Sequence, residues 1–88
     1  MKKLYLILIL SSIGVAAVPS DLFSQANDAM IYEKYEDAIQ VYESILDLGY
    51  DNAELYYNLG NAYYRLHYLG QAIWAYSNVL KISPRDQD

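Results

Sequence analysis

Shifted by 34 residues, the sequence falls on itself: Ala38 meets Ala72, Ile39 meets Ile73, and Tyr42 meets Tyr76. The same shift sets Ile45 on Val79, Leu46 on Leu80 and Leu48 on Ile82. Upstream, Leu22 falls on Tyr56, Phe23 on Tyr57, Ala26 on Gly60 and Asn27 on Asn61. A unit of this length cannot bury its apolar stripe alone and must stack on a neighbouring copy. The second copy is the sharper one, with Tyr56-x2-Leu59-Gly60-x2-Tyr63, then Ala72-x3-Tyr76, then Pro84. Gly60 and Ala72 are small where two antiparallel helices would cross closely, and the aromatics fill the space beside them. Pro84 ends the second helix, because it lacks an N–H and disfavours helix in the residue before it. The first copy is looser, with Gln25, Ala29 and Tyr50 in the places of Leu59, Tyr63 and Pro84.

Four helices in two hairpins follow. The first should start near Asp21 and run to about Tyr32, with Pro19 and Ser20 or Asp21 as start signals. The second covers roughly Tyr35 to Leu48 and stops at Gly49, a favoured residue just beyond a helix end. Asp51 or Asn52 can cap the third, which continues to about Leu66. The fourth runs from about Leu69 to Ile82. No window alternates like a strand between hairpin turns, so no sheet is expected.

This spacing and period resemble the tetratricopeptide (TPR) repeat, with Tyr in the places usually held by Trp and Phe. The expectation is an all-α chain of two TPR helix-turn-helix repeats after an N-terminal signal segment. Repeat one would span about 19–52 and repeat two 53–86, within a domain of residues 18–88. Ala26, Ala38, Tyr42, Ile45, Leu59, Gly60, Tyr63, Ala72 and Tyr76 are assigned to its core.

Composition narrows the function. At 88 residues the chain holds one small domain at most, and with no Cys it has no disulfide, thiolate metal site or Cys nucleophile. The formal charge is −5. An acidic chain without a basic stripe argues against nucleic acid, whose phosphates need Lys and Arg. No P-loop, HExxH, GxSxG or GxGxxG is present. His67, the single His, has no second ligand to share a metal and reads as a turn residue. Glu33, Glu36, Asp37 and Glu43 read as a solvated face favouring the start of the second helix. No catalytic residue, metal or cofactor is assigned.

The first residues look like an export signal. Lys2 and Lys3 precede the apolar run Leu4–Leu10, and Val15-x-Ala17 suits a signal peptidase. Residues 1–17 are therefore expected to be a signal peptide cleaved after Ala17, with Ser20 as second choice. The alternative is a retained inner-membrane anchor through residues 4–20, which are uncharged and only just long enough to span a bilayer. Either way the repeats would lie in the periplasm.

The resemblance implies that partners bind the concave face formed by the first helix of each repeat. In such proteins a groove ligand meets the second, fifth, sixth, ninth, twelfth and thirteenth repeat positions. Here those include Phe23 and Asn27 of the first copy, and Tyr57, Asn58, Asn61, Tyr64 and Arg65 of the second. The set suits a protein or peptide segment: Asn amides for its backbone, rigid aromatics, and an Arg for a carboxylate. Asn27 and Asn58 also match the carboxylate clamp of chaperone-tail TPRs, but Phe23 stands in the Lys place, so that activity is rejected. Trp74, Val79 and Leu80 mark a second surface, because no polar capping helix follows the last repeat. That uncapped end offers a homodimer contact.

A closer resemblance rests on the export signal followed by LFSQAND, KYEDAIQVYESIL and ELYYNLGNAYYRL. Together they look like the N-terminal part of the TPR protein family of the bacterial aerotolerance operon (Bat-type, E member). It implies an envelope scaffold acting with other operon proteins. The membrane span and SH3-like domain with which such proteins continue are missing from this sequence.

Overall fold

A computed structural model describes residues 20–83. The proposed signal segment, residues 1–17, and Pro84 lie outside the described residues. Within them are four helices and no strand. Helix α1 occupies residues 20–31, α2 Tyr35–Asp47, α3 Ala53–Arg65 and α4 Leu69–Ile82. The helix order and limits agree with the sequence reading to within a residue or so. Of the two candidate caps for α3, the structure selects Asn52, whose Oδ1 accepts the Leu55 N–H at 2.7 Å. An N-cap of this kind is worth about 0.5–2 kcal/mol.

All three connections begin with the same helix ending. The N–H of the third residue past each helix bonds back to a carbonyl three positions inside: Lys34 to Ala29, Tyr50 to Ile45, and Tyr68 to Tyr63. The residue before it bonds to the next carbonyl along: Glu33 to Met30, Gly49 to Leu46, His67 to Tyr64. This is the Schellman motif, which needs one residue in the left-handed region. Gly49 takes it at φ 97°, but Glu33 and His67 take it at 61° and 65° with a side chain present. His67 is thus a turn residue, as its position in the sequence suggested.

The core runs along the seam of the helices. Tyr42, Leu55 and Leu59 are the largest fully buried side chains, and Ala26, Ala38, Ala62 and Ala75 are buried beside them. Each large one contributes roughly 1.5–3 kcal/mol on leaving water. Helix α3 packs against both α2 and α4. Tyr56 and Gly60 face α4: a Cβ on Gly60 would lie 2.6 Å from Cε1 of Tyr76, so only glycine lets that ring seat against α3. Tyr63 reaches the other way, and its hydroxyl donates to Glu43 Oε2 of α2 at 2.6 Å. Glu43 is exposed, as expected of a solvated acidic face, and its carboxylate also ties α2 to α3. Trp74, one of the residues expected to mark the second surface, lies edge-on to Tyr56 of α3 at 5.6 Å. It remains 48% exposed.

Candidate functional site

Residues spaced three and four apart along α3 share one side of the helix. Glu54, Tyr57, Asn58, Asn61, Tyr64 and Arg65 form such a strip, bordered by Phe23 and Asn27 of α1. Tyr57 and Tyr64 are 54% and 58% exposed, large aromatic areas left in water. Asn58, Asn61, Asn27 and Phe23 are half-buried.

Hydrogen bonds explain why the amides sit where they do. Tyr42 donates to Asn27 Oδ1 at 2.6 Å, and Tyr76 donates to Asn61 Oδ1 at 2.6 Å. The two pairs have the same separation in sequence and hold α1 to α2 as they hold α3 to α4. Asn58 Nδ2 reaches back to Asn27 Oδ1 at 3.3 Å, joining the second repeat to the first. One half of each amide is therefore fixed by the fold. Asn58 Oδ1 and Asn61 Nδ2 have no hydrogen-bond partner among the described residues, so a clamped acceptor and a clamped donor remain for a ligand. Sequence reading placed the asparagines on the groove and the tyrosines in the core. It missed that they bond to each other, although the Asn-to-Tyr interval repeats in both copies.

The aromatics divide into support and surface. Phe23 meets Tyr42 edge-on at 6.1 Å and so underlies the strip. The Tyr57 ring lies 6.2 Å from that of Tyr76. Burial raises the Tyr76 hydroxyl above its ordinary pKa, and the nearby Tyr57 and Tyr64 hydroxyls raise it further. Burial pushes Tyr42 up to about 12, with the Asn58 amide acting against the shift and the Glu54 carboxylate adding to it. Each phenol stays protonated and donating at neutral pH.

Arg65 sits apart from this group. Its guanidinium lies 4.9 Å above the Tyr35 ring, a cation–π contact at the end of α3 beside the first turn. Next to it is an open cavity of about 360 Å³ lined by Glu33, Lys34, Tyr35, Glu36, Asp37 and Leu66. Among the described residues, no group of three His, Cys, Asp or Glu is placed to hold a metal ion. Among the same residues no helix is long and apolar enough to cross a membrane. Of the second surface, Trp74 and Leu80 are about half exposed and Val79 is half-buried.

Two family models match this arrangement of hairpins. One, described as TPR repeat, matches residues 31–66, and one described as Tetratricopeptide repeat matches residues 53–86. The chain carries tetratricopeptide repeats. The first TPR match joins α2 to α3 and the second joins α3 to α4, so α3 belongs to both and α1 lies almost wholly outside them. No curated protein and no solved structure gives a significant match. TPR repeats are typically non-catalytic modules for protein–protein interaction, which is the functional class these repeats support.

Proposed function

We propose that the TPR module is a scaffold that holds an extended protein or peptide segment along the α1/α3 face. One observation carries this reading: the free halves of Asn58 and Asn61 sit between exposed Tyr57 and Tyr64, while their other halves are locked by the core. A backbone that presents N–H and C=O in alternation finds an acceptor and a donor already oriented, at little entropic cost. Aromatic surface on either side supplies the affinity. The test is a peptide-display selection on the full chain. Peptides so recovered should bind at least about tenfold more weakly to Tyr57→Ala or Tyr64→Ala, a loss of about 1.4 kcal/mol. Equal binding to both variants would remove the groove from consideration.

The module is further proposed to work in the bacterial envelope. Lys2, Lys3, the Leu4–Leu10 run and Val15-x-Ala17 support export, with the repeats in the periplasm after cleavage or held there by an uncleaved anchor through residues 4–20. The likeness to the aerotolerance-operon TPR proteins supports a place in an envelope complex with other proteins. An intact-mass measurement on chain recovered from the periplasm decides between a start at Val18 and a retained Met1. Recovery in the cytoplasm alone would overturn the proposal.

A further inference from the structure

We propose that α4 pairs two copies of this chain antiparallel across a two-fold axis. Gly70, Ile73, Ser77 and Leu80 recur three and four residues apart and form one stripe of α4. Ile73 is 67% and Leu80 53% exposed, and Gly70 and Ser77 are exposed between and beside them. Gly70 is a helical glycine with no other explanation in the fold: it has no left-handed φ, and a Cβ there would meet nothing within 4 Å. At the second residue of α4 it leaves an open notch in the stripe that a large side chain can fill. Ser77 uses its one donor within the helix, its Oγ donating to the Ile73 carbonyl at 2.6 Å.

An antiparallel pair sets small against large throughout. Gly70 lies opposite Leu80 of the second copy, and Ile73 opposite Ser77; the two-fold axis repeats both layers. A parallel pair would set Gly70 on Gly70 and Ile73 on Ile73, leaving one layer empty and the next overfull. Charge favours the same surface. Two copies of an acidic chain repel, and α4 is the one helix of the four without a carboxylate, with Lys81 as its single charge. Head-to-tail stacking is disfavoured, since α1 presents Asp21, Gln25 and Asp28 as exposed residues. Those would lie on Ile73 and Leu80.

The test exploits the absence of cysteine. Full-length copies carrying Ile73→Cys are mixed with copies carrying Ser77→Cys, and Gly70→Cys with Leu80→Cys, in dodecyl maltoside under mild oxidation. Both mixtures should give disulfide-linked dimers, and Gln25→Cys with Ser77→Cys should give none. In sedimentation equilibrium, Leu80→Glu should weaken the dimer by roughly a hundredfold or more, because the carboxylate would lose its water. Gly70→Leu should weaken it about tenfold by overfilling the layer, with thermal unfolding no lower than the parent's. A monomer at every concentration, a link through Gln25→Cys, or a Gly70→Leu dimer as tight as the parent would each overturn the pairing.

Discussion

Ile39 and Ile73 occupy the same place in the two hairpins, yet Ile39 is 7% exposed and Ile73 67%. The helices that carry them have nearly the same lengths, the same entry turn and the same small residue just before, Ala38 or Ala72. What differs is the neighbour. Helix α3 lies on α2, and among the described residues no helix lies on the corresponding side of α4. Burial at this position is thus conferred by the next unit along, as in a quasi-one-dimensional array, whereas Ala72 and Ala75 of α4 are buried by their own hairpin. The tyrosines show the same gradient: Tyr42 is fully buried beneath α3, whereas Tyr76 is half-buried.

The largest expected effect tests that gradient. Ile39→Ala should cost about 2–5 kcal/mol by leaving a cavity between α2 and α3. In the monomer, at concentrations too low for α4 to pair, Ile73→Ala should stay within about 0.5 kcal/mol. Denaturant melts of the two variants, analysed with a common m-value, give the comparison. Equal losses at those monomer concentrations would mean that α4 is covered within one chain as α2 is, and the difference between the hairpins would disappear.

Next comes the helix crossing inside each repeat. Ala26, in the first copy's place of Gly60, is fully buried in the same core as Tyr42, but a Cβ on Gly60 would lie 2.6 Å from the Tyr76 ring. Gly60→Ala should therefore force the Tyr76 ring outward and cost about 1–3 kcal/mol. In a Tyr76→Ala background the same change should turn stabilising by up to about 1 kcal/mol, since alanine is the better helix former and the clash is gone. A cost that persists without the ring would place the strain elsewhere.

Alkaline pH should loosen the interior through its phenols. Burial raises Tyr63 above its ordinary value of 10.0, and the hydrogen bond to the Glu43 carboxylate raises it further; Tyr42 is pushed to about 12. A raised folded-state pKa means that the unfolded chain loses the proton first. These groups therefore contribute their stability in full below pH 10, and it is lost as pH climbs from about 10 to about 12. Melting temperature should fall over that window, and Tyr63→Phe should flatten part of the fall. At neutral pH the same variant should lose about 0.5–1.5 kcal/mol with its hydrogen bond. A melting temperature unchanged up to pH 12 would show that the buried phenols titrate freely.

Much of this was legible because a repeat states its pattern twice. Ala38 and Ala72, or Tyr42 and Tyr76, support each other as no single motif can, and they located the helices and most of the core. Gly49 and Asn52 marked their ends through backbone chemistry that acts within a few residues. Contacts between repeats were not legible. Tyr63 bonds to Glu43 across a distance in sequence that neither residue announces, and an exposed acid looks the same whether or not a phenol meets it. The groove residues fell between these cases. Helical spacing put Tyr57, Asn58, Asn61 and Tyr64 on one strip, but only the geometry shows which half of each amide the core has taken. Arg65 followed the same spacing and still ended over Tyr35, because a long cation seeks the nearest aromatic face.

The two turns provide the smallest and most exacting comparison. Glu33 and His67 each hold a left-handed backbone at nearly the same φ, within identical hydrogen bonding. A side chain in that region costs roughly 1–2 kcal/mol, against which glycine carries an extra unfolded-state entropy of about 0.5–1 kcal/mol. Glu33→Gly and His67→Gly should each stabilise the fold by up to about 1 kcal/mol, and by similar amounts, because the local geometry is the same. Calorimetric unfolding of both variants measures it. If His67→Gly were instead destabilising while Glu33→Gly was not, the imidazole would be making an interaction that compensates its backbone strain. The two hairpins would then differ at the turn as well as in what covers them.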